Sequence, residues 1–315
     1  MPVSEAACPA GISSFFEICN VDRTGTPLTD PSRIGARGGG FALKRGVNAI
    51  VSVRKSFKNR IVIGINSRPA PEAKTTRWAI GQLLGKSKSP FDVKVDLKVS
   101  VPIAAGYGTS AAGTAASCLA LSDAANLDVT FNELGRITHV AEVINRTGLG
   151  TAAALFVGGF VLVTEPGAPG VGSVDRLIFP DDHAIVCAYL GPMPTREVLS
   201  QRDVAGRVNP PAQRAIREIC RKPNLATFLD ESRKFSQEIG FQGPEVKKLI
   251  DVMISGGAVG AAQNMIGKAA HGVAETRKAA RISKALREKF PSATVFVTQL
   301  DERGVRLVTR RKPKH

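Results

Sequence analysis

Aromatic residues are scarce in this chain of 315 residues: one Trp, two Tyr and 14 Phe, 5% in all. They do not alternate with basic residues, so no stacking platform for single-stranded nucleic acid is expected. Acidic residues are also in deficit, 27 against 43 Lys and Arg, for a formal charge of +16. The basic residues are spread along the chain and cluster only at Arg310-Arg311-Lys312-Pro313-Lys314, a terminal run of the kind that stays solvated. Nucleic acid is therefore not expected as the ligand, and the positive field suits small anions such as nucleotides and carboxylates. No apolar run reaches transmembrane length: the longest, residues 152–163, is broken by Gly158 and Gly159. The start Met-Pro-Val-Ser-Glu lacks a basic region ahead of an apolar core, so no signal peptide is expected. Cysteine is limited to positions 8, 19, 118, 187 and 220, with no C-x-x-C pair. That pattern fits a reducing cytoplasm and offers no zinc site. Repeats and low-complexity segments are absent.

What is abundant is small residues, and they concentrate in Pro102-Ile-Ala-Ala-Gly106-Tyr-Gly108-Thr-Ser110-Ala-Ala-Gly113. Ahead of this stretch, Val93, Val95, Leu97, Val99 and Val101 alternate with polar residues and predict a strand over 93–101. Behind it, a run of Ala, Ser and Leu predicts a helix over 110–125. Glycines at such a strand-to-helix turn let backbone N–H groups approach a ligand. The helix N-terminus adds unpaired donors and a partial positive charge. Phosphate is the usual anion at such a place, although a tight connection alone would also use these glycines. Two other phosphate patterns fit poorly. Gly106-x-Gly108-x-x-Ala111 has Asp128 at about the distance expected of a dinucleotide fingerprint, but residues 127–130 read as a link between helices rather than a strand end. Residues 80–87 resemble a Walker A loop with Ile80 in place of its first glycine, which leaves Lys86 as a loop lysine.

Further strands are expected at 41–55, 60–65, 155–163 and 184–190, with a helix at 77–84. A second helix, 131–145, follows a capping box made by Thr130 and Glu133. Its stripe of Leu134, Ile137, Ala141 and Ile144 leaves His139, Glu142 and Arg146 on the other side, either a solvated face or a functional one. The Pro/Gly-rich segment 165–173 marks a domain boundary. Beyond it, helices are expected at 211–221, 226–239, 245–254, 258–271 and 274–289. Strands at 294–298 and 305–309 flank the turn Asp301-Glu-Arg-Gly304. The expected class is α+β in two domains, residues 1–170 and 171–315.

The Pro102–Gly113 stretch resembles the second motif of the GHMP kinases. An ordered series of further matches resembles, within that superfamily, the archaeal pantoate kinases. They are Gly11-Ile-Ser-Ser-Phe-Phe-Glu17, Asp30-Pro-Ser-Arg-Ile-Gly35-Ala-Arg37-Gly38-Gly-Gly40-Phe41, His139-Val-Ala-Glu142, Thr147-Gly-Leu-Gly150, Gly158-Gly159 with Pro166-Gly-Ala-Pro-Gly170, Gly191-Pro-Met-Pro-Thr195 and Asn264-Met-Ile-Gly267. The resemblance implies an N-terminal ATP-binding domain like the S5 domain 2 fold and a ferredoxin-like C-terminal domain, with the ligands in the cleft between them. It also implies a cytoplasmic, ATP- and Mg²⁺-dependent kinase acting on the primary hydroxyl of pantoate, in a family whose members are often homodimers. Pro102, Gly106, Gly108, Thr109, Ser110, Ala111 and Ala112 would then hold nucleotide, and Ser110 with Glu142 the metal. Arg37, His139 and Thr195 would face the substrate. Each also has a plain reading: Ser110 as a helix N-cap, His139 as a structural histidine, Arg37 as a surface arginine and Thr195 as a loop threonine. Three substrate-side positions depart from the pattern. Thr151 stands where an aspartate acts in catalysis, Val163 where an arginine is usual, and Ala36 where serine is favoured. Glu142 and Glu17 are then the two candidates to substitute for the aspartate as base. The departures leave open a nucleotide-binding relative with weakened catalysis, or a kinase for another alcohol.

Overall fold

The structure is a computed structural model and describes residues 1–192 and 203–311. Two sheets organise it. The first has eight strands in the order β12-β1-β2-β5-β3-β4, with β6 branching from β2 and β7 pairing with β6. Its members are β1 (Val3–Cys19), β2 (Gly35–Lys55), β3 (Arg60–Ile65), β4 (Arg68–Pro69), β5 (Phe91–Val99), β6 (Phe160–Glu165), β7 (Ser173–Leu177) and β12 (Arg306–Arg311). The branch arises because β2 is long enough to pair with β6 through Gly38–Phe41 and with β5 through Val47–Lys55. The second sheet has the order β11-β8-β10-β9, from β8 (His183–Gly191), β9 (Gly260–Gln263), β10 (Lys268–Glu275) and β11 (Thr294–Thr298). β7 and β12, from the C-terminal half, thus complete the first sheet.

Helices α1 (Lys74–Leu84), α2 (Thr109–Ala124), α3 (Phe131–Asn145) and α4 (Thr151–Val157) pack together on the first sheet. Ala111, Ala112, Ala115, Ala116 and Ala120 of α2 are fully buried, so the helix axis can lie close against β1 and β2. In the second half, α7 (Pro244–Ser255) and α8 (Thr276–Lys289) cover the four-stranded sheet, while α5 (Val204–Arg221) and α6 (Leu225–Glu238) pack between the sheets. The core that joins the sheets is aromatic. Phe41 stacks on Phe160 at 4.7 Å between ring centroids, and Phe228 meets Phe160 edge-on at 4.7 Å, a geometry that adds to area burial.

The helix start at Thr130 forms as expected, with the reciprocal capping box to Glu133. Four expectations are corrected. The strand β1 was not foreseen, because Ala, Cys, Pro, Gly and Ser dilute its β pattern. Residues 155–163 are not one strand: α4 runs to Val157, and Gly158 and Gly159, at φ 70° and 91°, turn the chain into β6. Residues 258–271 form β9 and part of β10 rather than a helix. Their Ala-rich composition favours helix locally, but these strands lie directly under helices, where only small residues fit: a Cβ on Gly260 would come within 2.5 Å of Leu229 Cβ. Lastly, the strands flanking Asp301–Gly304 do not pair with each other, since β11 joins β8 and β12 joins β1. All five cysteines are free, and Cys8, Cys118 and Cys187 are buried. Among the described residues no helix is long and apolar enough to cross a membrane.

Candidate active site

The turn after β5 and the start of α2 form one wall of a cavity of about 510 Å³. Ala104, Gly106 and Gly108 all take positive φ, and Gly108, at φ 58° and ψ 28°, is the N-cap of α2. No side chain caps that end. Ser110 is therefore not the N-cap: it stands one residue inside the helix, and its side chain is free to serve the cavity. An uncapped helix N-terminus behind a glycine turn presents N–H donors and positive potential to an anion.

Glu142 lies across from this turn, on the last part of α3. It is 3% exposed, and both Ser110 and Thr147 hydroxyls hydrogen-bond to its carboxylate, Thr147 Oγ1 donating to Oε1 at 2.7 Å. No Lys, Arg or His pairs with it among the described residues. Burial raises its pKa, and the two hydroxyls oppose that shift. A Cβ on Gly148 would sit 2.3 Å from Glu142 Oε2, so the carboxylate fills a cradle open only because residue 148 is glycine. A buried carboxylate joined to a hydroxyl, without a cationic partner, is a donor set for a hard cation. No cluster of three or more His, Cys, Asp or Glu suited to a metal occurs among the described residues. The Glu142 carboxylate with its hydroxyl neighbour is a set that Mg²⁺ can use, since that ion takes one or two carboxylates and completes its shell with waters and phosphate oxygens.

The titration of Glu142 gives a testable sign. Its folded pKa is raised above the unfolded value, so the folded protein binds the proton more tightly. Stability of the ligand-free protein will therefore fall as pH rises from the ordinary carboxylate range through the raised value. Thermal unfolding measured across that range will show the slope, and Glu142→Gln will flatten it.

Gly106, Gly108, Thr109, Ser110, Glu142, Thr151 and Arg37 all line the cavity. Ala111 and Ala112 are buried beneath it, and Pro102 faces a second depression on the other side of the loop. His139 does not line the cavity. It is 1% exposed, and its Nε2 lies 2.8 Å from the Ile34 carbonyl oxygen, which fixes the chain just before β2. Burial lowers its pKa, against the backbone carbonyls of Ile34 and Pro31, which raise it. The side of α3 carrying His139 and Glu142 is thus turned inward, whereas Ile144, assigned from the sequence to the apolar stripe, is 49% exposed. Thr195 lies outside the described residues.

Arg37 is oriented rather than free. Its Nε donates to Glu17 Oε2 at 2.5 Å, and Gln213 Nε2 of α5 donates to Glu17 Oε1 at 2.7 Å. Glu17 is buried and engaged by both, and it does not line the cavity. Lys74, at the start of α1, and Arg146, the left-handed C-cap of α3, also line the cavity. Neither was singled out from sequence as a site residue. Arg146 carried a usable signal, since it lies one turn after Glu142 on the same side of the helix.

Residues 74–159 match the sequence model of the GHMP kinases N terminal domain, a span that contains the turn, Ser110, Glu142 and Thr151. Over that span the chain is similar to the GHMP kinases. Its GHMP kinase fold is also seen in solved structures. One, described as a phosphotransferase related to the CoA biosynthesis pathway, superposes with a TM-score of 0.87 at 22% identity, covering 98% of this chain and 99% of that one. A homoserine kinase from Cytophaga hutchinsonii superposes with a TM-score of 0.72 at 16% identity over 97% of each chain. Among curated relatives, the pantoate kinase of Thermococcus kodakarensis is 28% identical over 78% of each chain. The pantoate kinase of Methanocaldococcus jannaschii is 26% identical over 82% of this chain and 88% of its own.

Proposed function

We propose that this protein is a GHMP kinase that transfers the γ-phosphoryl group of ATP to the primary hydroxyl of pantoate, giving 4-phosphopantoate and ADP on the way to coenzyme A. The observation that carries the reading is the Ser110–Glu142 pair facing an uncapped helix start, in a chain similar to pantoate kinases over most of its length. The backbone of Gly106–Ser110 holds the phosphates. Ser110 and Glu142 would hold Mg²⁺, which when bound neutralises phosphate charge. The substrate carboxylate meets Arg37, kept in place by Glu17. Lys74 and Arg146 add positive charge at the cavity wall. The hydroxyl oxygen forms a bond to γ-phosphorus as the β–γ bridging bond breaks, and the hydroxyl proton passes to water. Catalysis of this kind rests on positioning and charge neutralisation, so it does not require the aspartate that Thr151 replaces. In this reading residues 1–170 form the nucleotide domain and 171–315 the second domain, with β7 and β12 returning to the first sheet.

Release of ADP from ATP, followed with pantoate, homoserine, mevalonate and glycerate, tests the proposal. Pantoate is expected to give the highest kcat/KM, and no stimulation by any alcohol in well-folded protein would refute it. Thr151 motivates one alternative. Its Cγ2 would lie 2.6 Å from a Cβ on Gly108 and 3.3 Å from one on Gly11, so a methyl-bearing side chain occupies the place expected of an acid. Tight ATP binding with no turnover would mark a nucleotide-binding relative with weakened catalysis.

A further inference from the structure

We infer that the chain carries a second anion site, on the far side of the phosphate-binding turn, and that its occupancy alters nucleotide affinity. The site is the depression between α8, β11 and residues 100–102, lined by Arg45, Pro102, Ser283, Arg287 and Phe296 among others. Its lining holds two arginines and no carboxylate, and neither arginine forms an ion pair among the described residues. Each is nevertheless held in place. The Arg45 guanidinium carbon lies 5.1 Å from the Phe296 ring centroid, and Arg287 Nη2 donates to the Val295 carbonyl oxygen at 3.0 Å. A guanidinium held in this way by an aromatic face or one carbonyl keeps further N–H donors for an incoming oxyanion.

Ser283, 2% exposed, also lines the depression, and its enclosed hydroxyl has no hydrogen-bond partner among the described residues. Two fixed cations set against the apolar Val101, Pro102 and Val295 suit a small organic anion with a carboxylate or phosphate head and an apolar body. The link to the first cavity is physical. Pro102 opens the phosphate-binding turn, and Phe296, under Arg45, is in ring contact with Tyr107 of that turn at 5.7 Å. An anion drawing Arg45 toward itself therefore acts on a ring that supports the turn.

The test is calorimetric titration of wild type and of the double variant Arg45→Met/Arg287→Met, with inorganic phosphate and with isovalerate as probes. Each is run on protein saturated with ADP, so that the first cavity is filled, and on nucleotide-free protein. Both arginines are exposed, and circular dichroism checks the fold of the variant. Saturable binding to ADP-loaded wild type, weakened at least tenfold in the double variant, is expected. ADP affinity should also change at least threefold at saturating probe in wild type alone, as reciprocal linkage requires. The stronger probe tells whether phosphate or carboxylate is preferred. Equal binding by both proteins, or no saturable binding of either probe, overturns the site. Binding without any change in ADP affinity overturns the coupling. Should ADP itself fail to bind, the proposed function fails, and the nucleotide-free titration still decides this site.

Discussion

Glu142→Gln will lower phosphoryl transfer by roughly 10³-fold, the scale seen when a preorganised charge-stabilising group is removed from an active site. The fold will survive. Glutamine keeps the shape of the side chain and an oxygen to accept from Ser110 and Thr147, while removing a buried charge that has no cationic partner. Deleting an unpaired buried charge is neutral or stabilising, so the melting temperature should hold or rise at neutral pH. Ser110→Ala removes a partner of the same carboxylate and should cost roughly 10²-fold. Gly148→Ala is the more discriminating change, because its new methyl would lie 2.3 Å from Glu142 Oε2. It leaves every proposed ligand present yet displaces the carboxylate, and should approach the Glu142→Gln rate. Steady-state kinetics with ATP and pantoate, paired with thermal unfolding, reads all three. Unchanged rates in Glu142→Gln and Ser110→Ala would reject the site.

The parts of this site written in consecutive residues were legible in the sequence. The turn from Gly106 to Ser110 combines a strand period, glycines and a helical run, and the Thr130–Glu133 box fixes the start of α3 and hence the phase of Glu142. What could not be read were contacts between distant segments. Nothing local says that Glu17 is consumed by Arg37 and Gln213, residues 20 and 196 positions away. The same holds for His139. Its spacing on α3 matches Glu142, but whether it meets substrate or the Ile34 carbonyl depends on how β2 approaches the helix. The error at residues 258–271 has the same root. Alanine is a helix former in isolation, and a buried strand of alanines exists only because α6 and α7 press on the sheet. Local propensity yields to such tertiary demands.

Acidification will destabilise this protein through His271, by about 3 kcal/mol at pH ~4.5 from this group alone. His271 is fully buried on β10, and burial pushes its pKa down from 6.5 to about 3. The folded-state value is depressed, so between those limits the unfolded chain binds the proton and the folded protein does not. Stability is complete above about pH 6.5 and is lost as pH falls toward 3. Burial explains why the ring resists protonation, and its two hydrogen bonds are made in the neutral form. Nδ1 lies 2.8 Å from Asn264 Oδ1, to which it donates, and Nε2 lies 3.0 Å from Ser14 Oγ, from which it accepts. A second proton on Nε2 would break the latter arrangement with no carboxylate acting on the ring. In His271→Leu the pH dependence should shrink by that amount, while stability at pH 7 drops by roughly 1–3 kcal/mol because Ser14 and Asn264 lose their partner. Urea unfolding at both pH values measures the two effects, and equal acid sensitivity in wild type and variant would refute the assignment. The same change reaches the active site. Asn264 abuts Gly106, whose Cβ would meet Asn264 Cβ at 3.1 Å, and Met265 and Ile266 line the cavity. The neutral imidazole joins β1 to the segment on which the phosphate-binding turn rests. His271→Leu should therefore raise KM for ATP more than KM for the hydroxy acid, a split that general destabilisation would not produce.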